Sequence, residues 1–76
     1  MFDMPEIKYY LRILGTQGSN GIMMRTNGLP NKSQLEGRLR FSLTNNDYSN
    51  MLLGYVKVVP NGQGYYHTYF ITQEVE

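Results

Sequence analysis

An all-β domain is what the sequence predicts, and three observations predict it. Two stretches alternate apolar and other side chains with the period of two that belongs to strands. Seven tyrosines and eight glycines among 76 residues favour strands and tight turns, and alanine, the best helix former, is absent. Turn signals separate the apolar stretches roughly every ten residues, as they do in small barrels and sandwiches. At 8.8 kDa there is room for one domain, residues 1–76, with no linker and no repeat.

The elements justify this one by one. From Glu6 to Leu14, Ile7, Tyr9, Leu11 and Ile13 fall on one face, and Lys8, Tyr10, Arg12 and Leu14 on the other. Gly15 to Gly21, rich in glycine, serine and asparagine, reads as a loop. Gly21 to Thr26 is a second strand, its register ambiguous across Met23 and Met24, and Asn27-Gly28 followed by Pro30 marks a turn. Leu35 to Leu43 alternates again, with Leu35, Leu39, Phe41 and Leu43 opposed to Glu36, Arg38, Arg40 and Ser42. Gly37 inside that stretch suggests a bulge or bend. The rival local reading is a short helix whose capping box runs from Ser33 to Glu36.

One helical turn is expected near residues 46–51, capped by Asp47 or Ser49. Met51 to Val59 reads as the fourth strand, Pro60-Asn61-Gly62-Gln63-Gly64 as a hairpin turn, and Tyr65 to Val75 as the fifth strand. Five strands with a helical turn between the third and fourth match an OB-like barrel, with an SH3-like barrel as the alternative. A sheet this small must close or pair its edges, so a homodimer is expected.

Composition excludes several classes. The chain has no cysteine, which removes disulfides, thiolate metal sites and cysteine nucleophiles, and its one histidine has no acid or nucleophile beside it. The sequence thus offers no catalytic residue, no metal-ligand set and no cofactor motif; it does not read as an enzyme. No apolar run approaches the length of a membrane span, and Met1 to Pro5 lacks the pattern of a signal peptide, so a cytoplasmic location is expected.

Charge points to a partner. Residues 7–40 carry six cations against Glu36, a balance of +5, while the remainder carries Lys57 against five carboxylates, a balance of −4; together they give the net +1. A basic first half suggests an anionic partner on one face. If the first and third strands share an outer face, Lys8, Tyr10, Arg12, Arg38 and Arg40 lie together on it. Cations that track phosphates and aromatic rings that stack on bases are what single-stranded nucleic acid requires. Arg25 and Lys32 flank the Asn27-to-Pro30 turn as a basic loop that would fold over such a strand.

In the last strand Tyr65, His67, Tyr69 and Ile71 share one face and Tyr66, Thr68, Phe70 and Thr72 the other. One of Tyr65 and Tyr66 is expected to stack a base, with Tyr66 as the choice. The competing class is a small inhibitor from a phage or mobile element that grips a host protein through exposed tyrosines and methionines, Met23 and Met24 among them.

The stretch Gly28-Leu29-Pro30-Asn31-Lys32-Ser33-Gln34, which follows a basic, glycine-containing loop, resembles the corresponding part of the single-stranded-DNA-binding proteins of filamentous phages. The resemblance spans Arg25 to Phe41. It implies a small, dimeric, OB-like barrel in the host cytoplasm that binds single-stranded DNA in preference to RNA. It also implies that Gly28 and Pro30 shape the loop and that Arg25 contacts a phosphate. Where that family commonly has a tyrosine after the proline, this sequence has Asn31.

Overall fold

Strands do dominate, but they form an open sheet and carry two helices. The computed structural model describes residues 6–15, 20–60 and 62–75. The elements in order are β1 (Ile7–Gly15), β2 (Asn20–Asn27), α1 (Lys32–Leu39), α2 (Asn45–Leu52), β3 (Lys57–Pro60) and β4 (Tyr66–Val75). The strands make one antiparallel sheet in the order β2-β1-β4-β3. Its centre is the pairing of β1 with β4, from Ile7 opposite Val75 to Gly15 opposite His67. Neither closed barrel, OB-like or SH3-like, is formed, because the expected third strand is a helix and the fourth is cut to four residues.

The helix at 32–39 wins for two reasons. Asn31 closes a capping box with Gln34: the Asn31 side chain accepts from the Gln34 backbone N–H at 2.8 Å, and the Gln34 side chain accepts from the Asn31 N–H at 2.9 Å. The box therefore sits two residues before the Ser33 start suggested by sequence. Leu35 and Leu39 are four apart, a spacing that suits a helix face as well as a strand face, and both are buried. Gly37, the gap in the strand pattern, falls on the exposed side of α1. The helix stops at Arg40, which takes the left-handed conformation with φ of 66°. The Glu36 carboxylate then accepts from the Leu43 N–H at 2.7 Å and turns the chain toward α2.

The helical turn expected near 46–51 is a two-turn helix that continues through Leu52, so the start of the expected fourth strand is helical. Its N-cap is Thr44, and Asp47 is the acidic member of the capping box. Tyr48, Met51 and Leu52, spaced three and four apart, turn one face to the core. The Tyr48 hydroxyl donates to the Pro30 carbonyl at 2.7 Å, which fixes α2 to the loop that precedes α1.

Both helices cover the same face of the sheet. Leu35 and Leu39 from α1 and Met51 from α2 join Leu43, Leu11 of β1, and Tyr69 and Ile71 of β4 in a single core. The alternation of β1 and β4 is thus as expected; the odd-numbered side chains of β1 face inward as anticipated, and in β4 the odd-numbered set proves to be the inward one. The ambiguity at Met23 and Met24 is resolved by a β-bulge: Leu11 lies opposite Met24 and Arg12 opposite Ile22, which leaves Met23 as the extra residue. Both methionines then pack half-buried against the core.

Gly28 and Pro30 do shape the loop after β2. Gly28 has φ of +81° and donates its N–H to the Ile7 carbonyl at 2.9 Å, while Pro30 is buried. The expected loop at Gly15 to Gly21 is shorter than its sequence suggests, since Gly15 belongs to β1 and Asn20 and Gly21 to β2; residues 16–19 lie outside the described residues. The hairpin turn joins β3 to β4 as expected, with Gly62 and Gly64 both at positive φ; Asn61 lies outside the described residues, as do Met1 to Pro5.

Asp47 links this fold to pH. The Thr44 N–H donates to its carboxylate at 3.2 Å and the Lys57 ammonium lies 3.3 Å away, so its pKa is lowered, first by the Thr44 hydrogen bond. A carboxylate with a depressed folded-state pKa stabilises the fold above its ordinary range, and loses that contribution as pH falls through the folded value. Asp47→Asn is expected to lower the thermal midpoint at neutral pH and to flatten the loss of stability below pH 3.8. Melting curves of the two proteins from neutral pH to strong acid measure this; parallel curves would mean the carboxylate is not coupled to folding.

Candidate nucleic-acid interface

The side of the sheet opposite the helices carries no covering element among the described residues. Register assembles it row by row. At one end Asn27, Lys8 and Glu74 lie side by side on β2, β1 and β4, followed by Arg25, Tyr10 and Thr72. Ile22, Arg12 and Phe70 form the middle row. Asn20, Leu14, Thr68 and Val58 come next, and Tyr66 beside Pro60 ends the face. The face thus runs from a basic end to an apolar, aromatic end.

The basic end is held together by side-chain contacts. The Arg12 guanidinium carbon lies 5.4 Å from the centroid of the Tyr10 ring and that of Arg25 lies 5.8 Å from it. Arg12 also donates through Nε to the Thr72 hydroxyl at 2.7 Å and lies 3.9 Å from the Glu74 carboxylate. Arg12 is consequently half-buried and fixed across β1 and β4, whereas Arg25 stays exposed on the edge strand. Three cations and one carboxylate make the described part of this face net positive, and low-dielectric neighbours strengthen the field above it.

Of the residues expected from sequence, Lys8, Tyr10, Arg12, Arg25 and Tyr66 share this face. Arg25 sits within β2 rather than in the loop, and Lys32 opens α1, where its ammonium donates to the Asn45 side chain at 3.2 Å. Arg38 and Arg40 do not share the face. Both belong to α1 and its cap, on the far side of the sheet, because the segment that carries them is not a strand. The Arg38 Nε donates at 2.6 Å to the Met23 carbonyl, at the bulge of β2. Tyr10 is on the expected face but only 9% exposed, beneath its two arginines, so its ring is not offered to a base. Tyr65 precedes β4 and is exposed; Tyr66 is half exposed on the sheet.

Sequence reasoning missed Phe70, Ile22 and Leu14 as members of the face. The alternation of β1 and β4 carried Leu14 and Phe70, since it puts them with Lys8 and Tyr66 respectively. Ile22 had no such signal, because only the bulge at Met23 brings it to this side.

Two hollows lie elsewhere. A mostly apolar groove of about 450 Å³ runs between Ile7, Tyr9 and Leu29 at one end of the sheet, and a cleft of about 330 Å³ separates α2 from Tyr55 and Lys57. Among the described residues no three His, Cys, Asp or Glu side chains gather as a metal site, and no helix is long and apolar enough to cross a membrane.

Fold and face define a class: a small two-layer protein with two helices on one side of an antiparallel sheet and a basic, aromatic surface on the other. No protein-family model, curated protein or solved structure matches the chain.

Proposed function

We propose that the uncovered face of the sheet binds single-stranded nucleic acid, without catalysis and with little sequence preference, in the cytoplasm. One observation carries this reading: three cations and two aromatic rings, Phe70 and Tyr66, lie on adjacent strands of a face that no other element covers among the described residues. Lys8, Arg12 and Arg25 neutralise phosphates, and the opposite end meets the bases. Arg38 and Arg40 have no part in it.

Two features bear on the expected homodimer. Edge-to-edge joining is opposed at β2 by the bulge and by the Arg38 guanidinium on the Met23 carbonyl. At β3 it is opposed by a strand of four residues that ends in proline. A homodimer would therefore be built through another surface.

The second reading, a module that grips a host protein, rests on a different surface. Leu53, Tyr55 and Val56 are all more than half exposed along the approach to β3. Met23 and Met24 drop out of that reading because they pack on the core.

The test is fluorescence anisotropy of a labelled single-stranded DNA oligonucleotide at low and moderate salt. Three phosphate contacts at about 0.7 each give a log–log salt slope of about −2. Absence of binding at low salt would remove the nucleic-acid reading and leave the host-protein one.

A further inference from the structure

We infer that Phe70 is the base-stacking platform of this face, and that the bound strand lies across the sheet with its phosphates over Arg25 and Lys8 and its bases over Phe70. The inference rests on the nucleic-acid reading and assigns a side chain to the part of it that distinguishes a single strand from any other polyanion.

Three observations lead there. Tyr10, the aromatic ring nearest the cations, is already covered by Arg12 and Arg25 and is only 9% exposed. Phe70 is the next ring along the face. It sits directly opposite Arg12 on the neighbouring strand, so its Cβ lies about 5 Å from that of a fixed cation. On its other side β3 begins at Lys57, opposite Tyr69, and supplies no strand partner to Phe70, whose ring is half-buried.

The arrangement is directional. The face is basic toward Lys8 and Arg25 and apolar toward Leu14, Phe70 and Tyr66. A single strand has the same division, charged along its backbone and apolar across its base faces, and it can lay both halves on such a surface at once. A duplex keeps its base faces stacked inside and offers phosphates, sugars and base edges, none of which can stack on a ring. At this level the sheet has three strands, β2, β1 and β4, and a path across them traverses about 10 Å, a length suited to a few nucleotides.

The protein contains no tryptophan, which makes Phe70→Trp a direct probe. The experiment compares a labelled twelve-nucleotide oligothymidine with an abasic strand of the same length and charge, on the wild type, Phe70→Leu and Phe70→Trp. Loss of one stacked base weakens binding by about 5- to 150-fold. Phe70→Leu is expected to lose affinity for the oligothymidine in that range, to bind the abasic strand as the wild type does, and to keep the same salt slope. The tryptophan of Phe70→Trp is expected to be quenched by the oligothymidine and not by the abasic strand. Equal binding of both strands by the wild type, or an unquenched tryptophan in a protein that still binds, overturns the stacking role and leaves phosphate binding intact. Failure of the wild type to bind either strand overturns the nucleic-acid reading itself. Because Phe70→Trp keeps an aromatic ring in place, its fluorescence decides the question even if Phe70→Leu proves unstable.

Discussion

Leu35→Ala is expected to remove most of the stability of the domain. Leu35 is fully buried at the centre of the core, where α1 meets the sheet. Truncation of a buried leucine to alanine costs about 2–5 kcal/mol, from lost transfer free energy and from the cavity left behind. A single core in a chain of this size rarely supplies more than about 3–5 kcal/mol in total. The two figures overlap, so the variant should be substantially unfolded near room temperature. Leu53→Ala is the control: its side chain is 75% exposed, and the change should fall within about 0.5 kcal/mol of the wild type. Urea denaturation followed by circular dichroism measures both. Equal midpoints for the two variants would show that α1 is not seated on the sheet as described.

Arg25→Ala is expected to produce the largest effect on binding of any single cation. Arg25 is exposed, lies on the uncovered face and has its guanidinium poised beside Tyr10. Removing one phosphate contact from a single-strand complex should reduce the magnitude of the salt slope by about 0.7. Relative to 1 M salt, where such contacts are screened, that corresponds to about an eightfold loss of affinity at 0.05 M. Arg40→Ala, which removes a cation from the helix side, should leave slope and affinity unchanged. Titrations of the two variants at several salt concentrations separate a local face from general charge: equal losses would mean that the chain binds by net charge alone. Arg12→Ala is a poorer probe. Arg12 also bonds Thr72 and lies near Glu74, so its removal would disturb the pairing of β1 with β4 as well as the ligand.

That strands dominate, the paths of β1, β2 and β4, the hairpin turn with Gly62 and Gly64, and the sharing of one face by Lys8, Tyr10 and Arg12 were legible from residue pattern alone. Each depends on local physics: a period of two, β-branched and aromatic side chains, or a glycine that accepts positive φ. The segment from Leu35 to Leu43 was not legible in the same way. Leucines four apart satisfy a strand and a helix equally, and the decision fell to the Asn31–Gln34 cap and to the core waiting on one side of the sheet. Once that segment became α1, Arg38 and Arg40 moved to the opposite layer, and two of the five cations assigned to the site left it.

Sequence by itself therefore determined the paths of β1, β2 and β4 and the alternation along β1 and β4, because backbone pleat and side-chain size act over two or three residues. Only the tertiary structure decided that the sheet stays open, that a bulge at Met23 brings Ile22 to the uncovered face, and that Tyr10 lies under two arginines while Phe70 does not. Those outcomes depend on which strands become neighbours and on what lies across from each side chain, and β1 meets β4 only after the chain has passed through both helices.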